Sequence, residues 1–151
     1  MLARIRKSME EKDQGFTLIE LLVVMIIIGI LVAIAIPTFL SQKTKAKETS
    51  EKADVKAIAT DVASYLVDGN PAATISITGT SPTYTLTGTG ITGKLSTGNS
   101  VDANSAINTD GTYCISVGNT DTNAKHWFIK TATGGTGLLS SVVGTPGVGG
   151  C

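Results

Sequence analysis

Several residue types are scarce in this 151-residue chain. Its 12 basic and 12 acidic side chains give zero net charge, which argues against a nucleic-acid binder that works through overall charge. A single histidine excludes a metal site built on a histidine pair, and seven aromatic side chains give little support to charge conduction through stacked rings. No Ser–His–acid or Cys–His group is convincing, and no phosphate-binding loop with its lysine is present. The composition therefore predicts neither an enzyme nor a cofactor or metal site.

The residues that are present are divided unevenly along the chain. Residues 16–36 hold 18 apolar side chains and one charge, whereas residues 37–68 hold ten charges in 32 positions. Residues 69–151 hold only six charges in 83 positions and are rich in Thr and Gly. The length allows one globular domain with little room for a second. We therefore expect one small head domain attached to a segment of a different kind.

The apolar segment, residues 16–36, is long enough for a membrane-spanning helix, which needs about 20 apolar residues. A plain anchor has no use for Glu20, since a carboxylate costs on the order of 2.5–3.5 kcal/mol at the centre of a membrane helix and less near the end of the run, where Glu20 lies. Gly29 and Pro37 interrupt a helix that otherwise would continue, and such breaks are tolerated when neighbouring protein satisfies the backbone. These features favour a helix that later packs against protein.

Residues 15–20, Gly-Phe-Thr-Leu-Ile-Glu, together with the apolar run and Pro37, resemble the class III signal of type IV prepilins. The resemblance covers residues 1 to about 68. It implies a leader over residues 1–15, cleavage between Gly15 and Phe16 by a prepilin peptidase, and N-methylation of Phe16 by the same enzyme. It also implies that mature subunits leave the bilayer and pack their helices into a filament core.

Glu20 fits that scheme, because cleavage would give Phe16 a cationic amine that must enter an apolar filament core. A Glu20 carboxylate on an adjacent subunit would neutralise it, and we expect the two to form the assembly charge pair. Gly29 and Pro37 match positions where helices of the family can lose regular structure in a filament. Their alternative roles are ordinary helix packing and an ordinary kink.

Beyond Pro37 the pattern predicts an amphipathic continuation of the helix over residues 37–68, with Val55, Ile58, Val62 and Leu66 as its apolar stripe. We expect its charged side chains to be solvated, with Glu48 and Lys52 forming an i,i+4 pair. Alternating residues predict strands at 74–78, 83–87, 113–117, 126–131 and 138–143 of the head, residues 69–151. We expect residues 88–111 to form a surface loop. The fold class is α+β, a type IV pilin fold.

Cys114 lies in a predicted strand and Cys151 follows a glycine-rich tail. The resemblance places the head outside the cell, although the Lys and Arg counts on the two flanks of the apolar run do not settle orientation. In that setting a cysteine pair indicates a disulfide, and type IV pilins often have such a C-terminal loop. The alternative is two free thiols. The segment around Cys114 also resembles pilins of actinobacteria.

Three further patterns are weak. Residues 88–93 fit G-x-G-x-x-G, but no helix is expected to follow them. His126 is expected at a strand edge or loop flank. Oxygen-bearing side chains that could bind calcium do not fit an EF-hand and are commonly turn residues; they are Asp102, Asn104, Asn108, Asp110, Asp121 and Asn123.

We interpret the chain as a structural subunit of a type IV pilus that acts by polymerisation. Its expected partners are copies of itself, the prepilin peptidase and methyltransferase, an assembly platform with separate ATPases, and the cytoplasmic membrane before assembly. The filament would be extracellular and serve adhesion, twitching motility or DNA uptake. The alternatives are a pseudopilin of a type II secretion or competence system and a membrane-anchored binding module that never polymerises.

Overall fold

The computed structural model describes residues 15–69, 71–119, 125–131, 137–143 and 151. Over these residues the chain forms one long helix followed by eight strands. They are α1 Leu18–Leu66, β1 Ile75–Thr80, β2 Thr83–Leu86, β3 Thr92–Lys94, β4 Asn99–Val101, β5 Ala106–Ile107, β6 Tyr113–Asn119, β7 Lys125–Lys130 and β8 Leu138–Val143. The chain divides into two compact units, Met1–Ser41 and Gln42–Cys151.

The described part of the first unit is dominated by the N-terminal half of α1. It passes through Pro37 without ending, although Pro37 cannot donate the backbone bond that the carbonyl of Ala33 would accept. The hydroxyl of Thr38 donates to the carbonyl of Ile34 at 3.1 Å on the following turn. In the single subunit, therefore, Pro37 does not break the helix. The prediction of a break inside a filament stays a prediction.

The second unit contains the C-terminal half of α1 and the sheet. The strand order is β3-β2-β1-β4-β6-β7-β8, with β5 pairing with both β1 and β6. All strand pairs of the described residues are antiparallel, as β1–β2, β6–β7 and β7–β8 exemplify. The predicted α+β class, with a long apolar helix on an antiparallel sheet, is confirmed.

One face of the sheet packs on the predicted apolar stripe of the helix. Val55, Ile58 and Val62 are fully buried, and Leu66 is partly buried at the edge of the same core. The same core contains apolar side chains of the strands and of the β3–β4 connection, Ile75, Ile77, Tyr84, Leu86, Leu95, Ile107, Ile115, Val117 and Ile129. The 3.6-residue periodicity of the stripe thus identified the packed face correctly.

The predicted loop at residues 88–111 is wrong, because it contains β3, β4 and β5. These strands are two or three residues long, and buried polar side chains lie in and beside β4 and β5. Asn99 is fully buried, and Ser105 donates its hydroxyl to the carbonyl of Ser116 at 3.2 Å. Pattern analysis looks for apolar alternation, so it misses strands that are fixed by buried polar groups.

His126 also differs from its prediction, because it lies within β7 and is fully buried. Its ring packs over Gly118 of β6, where a Cβ atom would lie 2.1 Å from Nδ1. Because consecutive residues from Ile115 to Asn119 are buried, β6 is covered on both faces. At β6, therefore, neither face of the sheet is exposed.

Some charged side chains of α1 that we expected to be solvated are buried. Glu51 and Asp54 are buried. Glu48 bonds Lys125 of β7 at 3.2 Å, and the Lys52 ammonium lies 3.9 Å from the centroid of the Trp127 ring, so neither is engaged as the predicted i,i+4 pair. Glu48 and Lys52 instead contact β7, because the sheet brings the Lys125 ammonium and the Trp127 ring onto this helix face.

The predicted disulfide is present between Cys114 of β6 and Cys151. It joins residues 37 positions apart. The bond therefore ties the C-terminal residue of this sequence to the middle of the sheet.

Candidate functional site

The predicted processing and assembly residues lie where α1 begins. Gly15 and Phe16 precede the helix, and the Phe16 side chain is 89% exposed. Glu20 is in the first turn, and its Oε2 accepts hydrogen bonds from the Thr17 amide at 2.9 Å and from the Thr17 hydroxyl at 2.8 Å. The Glu20 amide donates to Thr17 Oγ1 at 3.3 Å. The helix start therefore forms a reciprocal pair of contacts.

This arrangement is a capping box, in which a Thr and a Glu three residues later satisfy each other's free backbone amides. Sequence reasoning assigned Glu20 only an intermolecular role and missed its contact with Thr17. The signal was present as the Thr-x-x-Glu spacing directly before an apolar run. A carboxylate here also interacts favourably with the positive end of the helix dipole.

The side chains that follow form a continuous apolar surface. From Phe16 to Leu40 the large hydrophobic side chains are between 44% and 89% exposed. Within the described residues α1 is the one helix long and apolar enough to cross a membrane, with a mean hydropathy of 3.2 in its most apolar window. An exposed apolar surface of this size marks contact with lipid or with another protein.

Gly29 lies in the middle of this surface, and a Cβ atom placed there would meet nothing within 4 Å. No close contact with another described residue therefore explains the glycine. Together with Pro37 it stays a predicted point of helix flexibility in an assembly.

The second unit contains two clusters of buried polar side chains. In one, Asp54 accepts three hydrogen bonds from Ser96 and Asn99. In the other, His126 Nδ1 lies 2.9 Å from Oδ2 of Asp102, and Ser116 donates its hydroxyl to the same oxygen at 2.5 Å. His126 thus contacts an acid, but the hydroxyl is bonded to that acid and not to the imidazole, unlike a nucleophile activated by a base.

No group of three or more His, Cys, Asp or Glu side chains suited to a metal occurs in the described part of the chain. Among the calcium candidates, Asp110 accepts hydrogen bonds from the amide and hydroxyl of Thr112, and these bonds lower the pKa of Asp110. That is the local turn role that such residues commonly have. Asp121 and Asn123 lie outside the described residues.

The G-x-G-x-x-G match at residues 88–93 forms the connection from β2 into β3, with positive φ at Gly88 and Gly90. A strand follows these glycines where a dinucleotide site needs a helix. This motif therefore carries no phosphate site.

Comparison with known proteins gives matches confined to the N-terminal part. The family model described as "Prokaryotic N-terminal methylation motif" matches residues 12–36. Type II secretion system core protein G of Pseudomonas aeruginosa is 46% identical over 61 residues, which are 40% of this chain and 43% of that protein. Type IV major pilin protein PilA of Myxococcus xanthus is 46% identical over 54 residues, 36% of this chain and 24% of that protein.

A fimbrial protein of Pseudomonas aeruginosa is 42% identical over 57 residues, 38% of this chain and 37% of that protein. The match therefore spans less than half the length of each of these relatives. No solved structure matches the chain. The methylation motif, the relatives and the helix-on-sheet fold together support membership of the type IV pilin family, as the resemblance predicted. The finer likeness to actinobacterial pilins stays a prediction.

Proposed function

We propose that the chain is a structural subunit of a type IV pilus. It is cut between Gly15 and Phe16, N-methylated on Phe16, and polymerised through the N-terminal half of α1. The observation that carries the proposal is the exposed apolar surface of that half, which begins at the Thr17–Glu20 capping box. Residues 1–15 are the leader, residues 16–36 the membrane and filament-core helix, residues 37–68 its continuation, and residues 69–151 the head.

The proposed assembly step is electrostatic. Cleavage leaves a cationic amine on Phe16, and a buried cation needs a partner of opposite sign. Glu20 of a neighbouring subunit supplies it, so that each subunit contributes one charge of each sign to the filament core. Removing one member strands the other, at a cost of about 3–5 kcal/mol per subunit.

The capping box supports this role of Glu20 because it fixes the carboxylate at the helix start. Two donors from Thr17 orient one carboxylate oxygen. A carboxylate that is already ordered loses less side-chain entropy when it binds the amine of a neighbour.

The proposed path begins with the precursor in the cytoplasmic membrane and ends with an extracellular pilus. It uses the prepilin peptidase, which also methylates, and an assembly platform driven by separate ATPases. The subunit itself contributes surfaces and no catalytic group. Adhesion, twitching motility and DNA uptake are the outputs that we consider for the filament.

The first experiment is N-terminal mass analysis of material sheared from cells. We expect N-methyl-Phe16 as the first residue. Retention of residues 1–15 would contradict the proposal and favour a membrane-anchored binding module that never polymerises. A bulky substitution, Gly15→Val, should leave uncut precursor on a gel, whereas the control Gly29→Ala, made where a Cβ has free space, should be cut normally.

The second experiment separates processing from assembly. Glu20→Ala should still be cleaved after Gly15. It should then fail to form filaments or fail to be methylated, because the Phe16 amine lacks its partner. Glu48→Ala removes a carboxylate from the same helix outside the apolar half, and it should leave assembly intact. Normal, fully methylated filaments from Glu20→Ala would refute the assigned charge pair.

A second candidate is a pseudopilin of a type II secretion system or of a competence system. The 46% identity to type II secretion system core protein G favours it. Long surface filaments that contain this protein would decide for the pilin. Short assemblies whose loss stops secretion would decide for the pseudopilin.

A further inference from the structure

Glu51 is an acidic residue of α1 whose surroundings are unfavourable to a negative charge. It lies on the packed face of the helix, and the residue is 1% exposed. Neither carboxyl oxygen has a hydrogen-bond partner among the described residues, and both are shielded from water. Burying an ionised carboxylate in this way is costly, whereas the protonated form is tolerated far better.

Asp54, one helical turn further on, shows what a buried carboxylate needs. It accepts hydrogen bonds from the Ser96 amide at 2.9 Å, the Ser96 hydroxyl at 2.9 Å and the Asn99 amide at 2.7 Å. Asn99 is in turn held by Ser50 and Asn119. Of two acids on the same face of α1, Asp54 therefore has three hydrogen-bond donors, whereas Glu51 has none among the described residues.

The charges around Glu51 do not compensate for its missing donors. On α1 it faces Glu48, Asp54 and one cation, Lys47; from the β4–β5 connection it faces Asp102. Lys125 and His126 of β7 are engaged with these neighbours, because Lys125 bonds Glu48 and His126 contacts Asp102. Burial, followed by repulsion from Glu48, raises the pKa of Glu51 to about 7.

We propose that Glu51 makes the packing of the sheet on α1 proton-dependent. Protonated, its side chain stays in the interface; ionised, it is drawn towards water and loosens the end of the interface that contains Glu48, Lys52 and Trp127. The inference concerns only the packing of the head on the C-terminal half of α1, and it holds whether or not the chain forms filaments.

The direction of the pH effect follows from proton counting. Between the ordinary pKa of 4.5 and about 7, the folded state holds the Glu51 proton and the unfolded state does not. The stabilisation is fully present below that range and is lost as the pH rises through it. The folding equilibrium constant should fall by up to roughly tenfold per pH unit across the range.

The test is denaturant unfolding of the full-length chain in detergent micelles at a series of pH values. The fluorescence of Trp127, the sole tryptophan, reports the packing of this end of the interface because Lys52 lies on its ring. Glu51→Gln should flatten the pH slope between 4.5 and 7 and raise the folding constant above pH 7 relative to the wild type. Glu48→Gln is the matched control. It should keep the pH slope but move the upper end of the sloping range to lower pH, since one charge that repels the Glu51 carboxylate is removed.

The same slope in Glu51→Gln and the wild type would overturn the proposal. So would a wild type whose folding constant does not change between pH 4.5 and 7. If Glu51→Gln does not fold, NMR titration of glutamate carboxyl carbons in the wild type decides. One carbon titrating near pH 7 supports the proposal, and ordinary midpoints for all of them refute it.

Discussion

The two halves of α1 belong to one 49-residue helix but are suited to opposite environments. Its N-terminal half exposes apolar side chains over its whole surface, while its C-terminal half buries Glu51 and Asp54 along with Val55, Ile58 and Val62. Hydrophobicity alone would assign the interior to the first half. The difference teaches that burial in the single subunit follows from where the sheet lies, and not from the polarity of the helix.

Two glutamates make the same comparison at the level of single groups. Glu20 lies at an exposed helix start and has two donors from Thr17, whereas Glu51 lies under the sheet and has none among the described residues. We therefore expect substitutions in the head to change folding, and substitutions in the apolar half to change processing or assembly.

The largest effect on folding should come from the disulfide. Cys114→Ser with Cys151→Ser opens a loop of 37 residues, which lowers the free energy of unfolding of the head by about 4 kcal/mol in the chain-entropy model. Denaturant unfolding followed by Trp127 fluorescence measures it. A reductant should weaken the wild type similarly and leave the double variant unchanged. An unchanged midpoint in the double variant would show that the bond adds nothing to the head.

A matched pair of isoleucines should sharpen the comparison of the two helix halves. Ile58→Ala removes a fully buried side chain and should cost about 3 kcal/mol of head stability, since core truncations of this kind cost 2–5 kcal/mol. Ile28 is 53% exposed, and Ile28→Ala should leave the unfolding midpoint of the head unchanged. Equal midpoint shifts in the two variants would contradict the separation of the helix into two functional halves.

The smallest effect is expected at the helix start. Thr17→Ala removes the capping hydroxyl and should destabilise the first turn by about 1 kcal/mol, while Thr17→Ser keeps the bond. Faster hydrogen exchange of the Glu20 amide in Thr17→Ala, with head stability unchanged, is the expected result. Equal exchange in the alanine and serine variants would show that the cap does not hold this turn.

The sequence predicted those parts of the fold that repeat a simple pattern. The apolar run, the stripe at Val55, Ile58 and Val62 and the longer strands follow periods of 3.6 or 2 residues, and the structure confirms them. The cysteine pair was predicted from its compartment. The capping box at Thr17 and Glu20 was also readable from its spacing, although only the intermolecular role of Glu20 was inferred.

The parts that failed depend on partners distant in sequence. Residues 88–111 lack apolar alternation, and around β4 and β5 the side chains of Asn99, Asp102 and Ser105 find hydrogen-bond partners on α1, β6 and β7. No local pattern reveals that His126 would pack over Gly118, since the two meet only after β6 and β7 pair.

The sequence by itself thus determined the order of the helix and the five longer strands, the apolar helix with its N-terminal motif, and which helix face meets the sheet. Periodicity, composition and spacing are local properties, so they can be recognised without knowledge of the fold. Only the tertiary structure decided which individual polar groups are buried and which of these have hydrogen-bond partners. Whether a carboxylate such as Asp54 finds three donors, or one such as Glu51 finds none, depends on strands more than 40 residues away along the chain.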